Sequence, residues 1–124
     1  MSAAFALVLR PDSSFKVIDF SGDSPADLAT IFSEINSPNI AVMDLSPRVS
    51  VWLDDDGIRG AAYNQPAKAI HAATVLVPHD YYGTVVYTGT DAQKRTIGLT
   101  LDRCAALLEL AGIDVPEDFS PSTS

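Results

Sequence analysis

The residues able to do chemistry lie in three places. These are the acidic run Asp54-Asp55-Asp56-Gly57, the histidines His71 and His79 with Asp80 beside the second, and the lone thiol of Cys104. Carboxylates followed by a glycine can open a calcium loop, where oxygen ligands recur at fixed positions and the glycine makes the sharp turn. With Gly57 at that turn, the loop needs an oxygen ligand at position 52 and a glutamate at 63; the chain has Trp52 and Tyr63. The calcium pattern fails, and a simple turn explains the same aspartates. Two histidines need a third ligand from a neighbouring element to hold a metal, and the sequence points to none. His71 falls near the end of a predicted helix, where it interacts favourably with the dipole. Cys104 recurs with Leu101, Ala105 and Leu108 at helical spacing, the setting of a small core residue rather than a nucleophile. Gly57, Gly60, Gly83, Gly89 and Gly98 match no phosphate-loop spacing. On these grounds no catalytic residue, metal site or cofactor is assigned.

What remains is a candidate binding surface built from Trp52, Tyr63, Asn64, His71 and Tyr82. Aromatic residues on strands usually divide between the core and an exposed face, so this surface rests on the elements that position it.

The centre of that positioning is the stretch from Val49 to Ala67. Alternating runs flank Asp56-Gly57, the pair favoured in a two-residue type I′ hairpin turn, where both central residues take positive φ. In that register Asp54 lies opposite Arg59, Leu53 opposite Gly60 and Trp52 opposite Ala61, giving an opposite-charge pair and a small partner for the indole. A three-residue loop from Asp55 to Gly57 with a bulge would shift the pairing by one. Asn64 then caps a short helix with Pro66 near its first turn, running to about Ala73.

The chain before this stretch reads as a strand from Ala3 to Arg10, a turn at Pro11–Ser14, and a second strand from Phe15 to Phe20 antiparallel to the first. Ser24 is an N-cap with Pro25 at the first helical position and Asp27 in the first turn. Leu28, Ile31, Phe32 and Ile35 form one apolar face of the helix that follows, which ends near Asn36. Residues 39–45 form a third strand, joined by Ser46-Pro47 to the hairpin. Beyond the short helix, 74–82 reads as loop, 83–89 as a β-branched and aromatic strand, and 91–96 as polar loop. Leu99–Ala111 reads as a helix with Thr100 as a plausible cap, Leu101, Cys104, Ala105, Leu108 and Ala111 on one face widened by Leu107, and Gly112 as a left-handed C-terminal cap. Residues 1–113 are thus expected to form one domain and 114–124 a mobile tail rich in Ser and Pro.

Composition narrows the function classes. The chain has 124 residues, 47% of them hydrophobic, and a formal charge of −8 from 16 acidic and 8 basic residues. A chain of this size buries roughly two-thirds of its unfolded surface. Its few cations are scattered, which opposes direct nucleic-acid binding, since phosphate neutralisation needs clustered Lys and Arg. One cysteine excludes an internal disulfide framework. No apolar run approaches the ~20 residues of a membrane span. A cytoplasmic location is expected, with no membrane partner.

The succession Phe5-Ala-Leu-Val-Leu-Arg-Pro11, Ile40-Ala-Val-Met43, Val51-Trp-Leu-Asp-Asp-Asp-Gly57 with Gly60 and Asn64-Gln-Pro-Ala67, then Tyr82-Gly-Thr-Val-Val-Tyr-Thr-Gly89 and Gly98-Leu-Thr100, resembles a family of small uncharacterised proteins. These are carried by phages, plasmids and their bacterial hosts, and are filed as a domain of unknown function. The likeness spans about residues 4–110. It implies a mobile-element context and supplies no reaction, cofactor or catalytic residue.

The expected fold is α+β: a mainly antiparallel sheet of about five strands, with two main helices and one short helix packed on it. The expected function is that of a small non-enzymatic accessory protein of a phage or other mobile element, acting by binding a host or phage macromolecule. A host or phage protein is the expected partner, and a homo-oligomer a further option. A small-molecule or nucleotide-binding protein, or a minor enzyme, using the surface around Trp52, Tyr63, Asn64 and His71 is the alternative. An acidic mimic of nucleic acid is the third.

Overall fold

A computed structural model describes residues 4–22, 24–37, 39–55, 61–116 and 119. The chain opens with an antiparallel hairpin of β1 (Phe5–Leu9) and β2 (Phe15–Asp19), in which Leu7 pairs with Val17 and Leu9 with Phe15. Its turn closes locally: the Asp12 carboxylate accepts the Ser14 N–H at 2.9 Å, and Ser13 takes φ 71°. Helix α1 (Pro25–Ile35) begins as expected, with the Ser24 hydroxyl accepting the Asp27 N–H at 3.2 Å. The Asp27 carboxylate reaches back to the N–H groups of Ser21 and Gly22, which ties the helix start to the end of β2. Asn36 ends the helix in the left-handed region.

Strands β3 (Ile40–Ser46) and β4 (Val49–Asp54) form the next hairpin through Pro47-Arg48, with a register shift between Asp44 and Ser46. Helix α2 (Gln65–Thr74), strands β5 (Val85–Thr90) and β6 (Thr96–Ile97), and helix α3 (Leu101–Leu110) complete the order. The sheet runs β2-β1-β5-β4-β3 with every neighbour antiparallel, and β6 pairs with the end of β5. The α+β expectation holds, with six strands and three helices among the described residues.

One expectation is corrected. Trp52 does not pair with Ala61: it lies between Val42 of β3 and Val86 of β5, so both its edges are occupied. Asp54 pairs with Ile40 and Leu53 with Ala41 on the β3 side. The physical reason is burial. Every residue of β5 is buried, and a strand covered on both faces must lie inside the sheet, so it takes the place beside β4 that a local hairpin would have used. The Asp56-Gly57 turn, with Arg59 and Gly60, lies outside the described residues.

Alternation along the strands sorts side chains to two cores. One face carries Leu7, Leu9, Val17, Val49, Val51, Val85 and Tyr87 against Ala67 and Ile70 of α2 and Cys104, Leu107 and Leu108 of α3. The other carries Ala6, Val8, Ile18, Trp52 and Val86 against Ile31 and Ile35 of α1. Helices therefore cover both faces of the sheet. At the end of α3 the Ile113 N–H bonds to Leu108 C=O and the Gly112 N–H to Glu109 C=O, both at 3.0 Å, with Gly112 at φ 78°. This 6→1 and 5→2 pairing is a Schellman motif. Val115 and Phe119 pack back on the first core, with the Phe119 ring 6.0 Å from that of Phe15. Residues 117, 118 and 120–124 lie outside the described set.

Candidate functional site

The five candidate residues occupy three different environments. Tyr63 and Tyr82 meet through a backbone bridge, with their rings edge to face at 5.6 Å. Beside them Lys68 donates to Asp80 at 2.9 Å, and the Tyr63 hydroxyl lies 3.4 Å from the same oxygen. The Lys68 ammonium holds the Asp80 carboxyl below its ordinary range, and Asp80 in turn raises Lys68. All of this lies at the surface.

Asn64 is fully buried. Its Oδ1 accepts the Ala67 N–H at 3.0 Å, the expected cap of α2. Its Nδ2 donates to Gly83 C=O at 2.8 Å and to Leu9 C=O at 3.2 Å. The side chain thus joins the start of α2, the end of β1 and the loop before β5. That bridging role is more than capping.

His71 is also buried, with both ring nitrogens engaged: Nε2 lies 2.7 Å from Val77 C=O and Nδ1 2.8 Å from the Tyr81 hydroxyl. A carbonyl only accepts, so Nε2 carries a hydrogen, and in the tautomer protonated at Nε2 alone Nδ1 accepts from Tyr81. The His79 ring lies nearby and tilted, its centroid 4.8 Å from that of Tyr81 and 5.7 Å from that of His71. Its Nδ1 is buried without a hydrogen-bond partner. Burial pushes the Tyr81 hydroxyl up to about 12, which makes it a donor rather than a base. The cluster straps the loop from Val75 to Asp80 onto α2. No group of three or more His, Cys, Asp or Glu among the described residues could hold a metal.

Trp52 belongs to the other face of the sheet. Its indole N–H donates to the Thr88 hydroxyl at 2.9 Å, and its ring lies 6.5 Å from that of Phe32. The surface expected around Trp52, Tyr63, Asn64 and His71 is therefore divided: an exposed tyrosine pair, two interior polar residues, and an indole beyond the sheet.

Searches against protein-family models, curated proteins and solved structures each return no match.

The structure does bring together a surface that spacing alone does not mark. A cross-strand row runs Lys16, Val8, Val86, Trp52, Val42 on the α1 face. Its middle is buried under α1, but at the β3 end Val42 is 48% exposed and Phe32 of α1 is 45% exposed. Trp52 sits between them as the floor. Beyond β3 no further strand is paired among the described residues, so its outer edge presents backbone donors and acceptors next to this apolar step. The sequence signal was available: Ile40-Ala-Val-Met43 is apolar at both parities, with neither Lys nor Pro to guard an edge. A second apolar feature is the fully exposed Leu76 with Val77 on the strapped loop. No helix among the described residues is long and apolar enough to cross a membrane.

Proposed function

We propose that this chain is a small non-enzymatic accessory protein of a phage or similar element, acting in the cytoplasm by binding a protein partner along the β3 edge. The observation that carries the reading is the open β3 edge beside exposed Val42 and Phe32. An unpaired strand edge offers main-chain hydrogen bonds to an added strand, and neighbouring apolar side chains supply the specificity. β3 is also the longest strand described, at seven residues, and its stretch from Ile40 to Met43, before the bulge, can hold a partner strand. The mobile-element context rests on the resemblance of the Asp54–Gly57, Asn64–Ala67 and Gly83–Gly89 patterns to the phage- and plasmid-borne family.

Val42→Lys places a charge on the apolar step at the exposed end of the row. Affinity capture from host lysate with the wild-type protein, Val42→Lys and the distant Lys94→Gln tests the reading. A protein retained by the wild type and by Lys94→Gln but lost with Val42→Lys supports it. Sedimentation equilibrium runs in parallel: self-association of the wild type that Val42→Lys abolishes makes the partner a second copy. Equal capture and equal mass for all three proteins refute the role of the edge.

A further inference from the structure

At the opposite end of the β5–β4 pair from Trp52, a cavity of about 230 Å³ is lined by Arg48, Gly89, Thr90, Gly98, Thr100 and Arg103, among others. Its cations stand apart from the rest. Arg10 and Lys16 meet Glu34, Lys68 meets Asp80, and Arg95 meets Asp91. Among the described residues only Arg48, Lys94 and Arg103 lack a carboxylate partner, and two of these three line the same cavity. In a chain of net charge −8, two arginines without a carboxylate partner that line one hollow call for an anion.

The backbones behind both arginines are fixed. Arg48 lies in the β3–β4 turn, where its N–H donates to the Ser46 hydroxyl and its C=O accepts the Thr90 N–H at 2.9 Å. Arg103 is the third residue of α3, and its N–H donates to the Thr100 hydroxyl at 3.1 Å. That bond uses Thr100 Oγ1 as acceptor, so its own hydrogen remains free to donate into the cavity. The Thr90 hydroxyl is committed elsewhere. Ser50 gives its single hydrogen to Asp44, so Thr90 must donate to Ser50 across their 2.7 Å contact. Gly89 and Gly98 put no side chain into the space, and a Cβ on Gly89 would come within 2.7 Å of Gly98 C=O.

The geometry points to a binding site for a small phosphate monoester or free phosphate, held between the guanidinium groups of Arg48 and Arg103 with the Thr100 hydroxyl as a further donor. Two guanidinium forks present more donors than the two oxygens of one carboxylate can accept, whereas a phosphate offers three or more oxygens and a second charge. The volume lies below the ~300 Å³ at which ordinary ligand clefts begin, which suits a single phosphate head rather than a polyanion. This site is independent of the β3 edge.

Inorganic phosphate is the probe, titrated at constant ionic strength against the wild-type protein, Arg48→Gln, Arg103→Gln and Lys94→Gln. Melting temperature and ³¹P line width are the readouts, with succinate as the carboxylate comparator. The wild type and Lys94→Gln should show a saturable rise and saturable broadening, and each arginine variant should bind about tenfold more weakly or worse, as expected for loss of charge-assisted hydrogen bonds. Circular dichroism checks that the variants fold, and the ³¹P titration of the wild type stands without them. No saturable effect on the wild type, undiminished binding in both arginine variants, or an equal effect of succinate overturns the assignment.

Discussion

Asn64→Ala removes one buried side chain that three parts of the fold share, and its cost separates two accounts of that residue. If Asn64 only caps α2, the loss is about 1 kcal/mol. The structure gives it two further bonds, from Nδ2 to Gly83 C=O and to Leu9 C=O, groups 19 and 55 residues away. Each such bond contributes about 1 kcal/mol net, and more where the abandoned group is buried. The expected loss is therefore about 3 kcal/mol, a large part of the ~5–15 kcal/mol that holds an ordinary domain together. Asn64→Asp sharpens the comparison. Aspartate caps as well as asparagine, so an account based on capping alone expects no loss. A carboxylate only accepts, however, and here it would face two carbonyl oxygens, so the expected loss is at least that of Asn64→Ala. Urea denaturation followed by circular dichroism, with unchanged m-values, measures both. A loss near 1 kcal/mol for alanine together with a neutral Asn64→Asp would refute the bridging role.

Three other outcomes follow from the packing and the buried titratable groups. Gly89→Ala should cost about 1–3 kcal/mol in the same assay, because its Cβ would meet the Gly98 carbonyl at 2.7 Å, while Gly22→Ala, with 3.6 Å of room, should be close to neutral; equal stabilities would refute the close approach. Burial pushes Tyr81 up to about 12 and Tyr87 well above its ordinary value, so the unfolded phenols ionise near pH ~10 while the folded ones stay neutral. Stability should then be intact below pH ~10 and fall as pH rises toward 12, by about 1.4 kcal/mol per pH unit for each group, and Tyr81→Phe should flatten that fall. A urea midpoint that stays level to pH ~11 would contradict this. Cys104 is wholly buried, and burial holds its thiol up at about 12, so a thiol reagent at neutral pH should label it only when denaturant opens the fold; rapid labelling of the native protein would show that α3 does not seal it.

The helices were legible because their signals are local. Ser24 with Pro25, Asn64 with Pro66, and Thr100 each sit next to the periodic run they cap, and the structure places all three as side-chain caps. The β1–β2 hairpin and β5 were equally readable from alternation and β-branched content. The two-residue strand β6 carries no sequence signal of its own and depends on its partners Gly89 and Thr90. The hairpin centred on Asp56-Gly57 misled at Trp52 because turn chemistry is local while pairing is decided by burial. Val85–Thr90 is distant in sequence from β4, yet as the most buried strand it has the stronger claim to the sheet interior.

The candidate site was less legible for a related reason. Residue type marks Trp52, Asn64 and His71 as capable of recognition, but not which face of the sheet each joins, nor that Asn64 and His71 are occupied by carbonyls and a hydroxyl of the fold itself. Arg48 and Arg103 share no local spacing, so the cavity they both line appears only once the β3–β4 turn is set beside the start of α3.

The two edges of the sheet are treated differently. β2 is guarded: its outer residue Lys16 is charged and pairs with Glu34 at 2.6 Å, and Phe15 is covered by Phe119. β3 is not. Its one charge, Asp44, accepts a hydrogen bond from Ser50 of the neighbouring strand, and Ile40, Val42 and Met43 leave the edge apolar. Natural sheets blunt exposed edges with Lys, Pro or bulges, and here the bulge falls only at the Asp44–Ser46 end. The unguarded length from Ile40 to Met43 lies beside Phe32 and Trp52, and that coincidence of free backbone and apolar side chains is what makes β3 the partner-binding edge of the proposal.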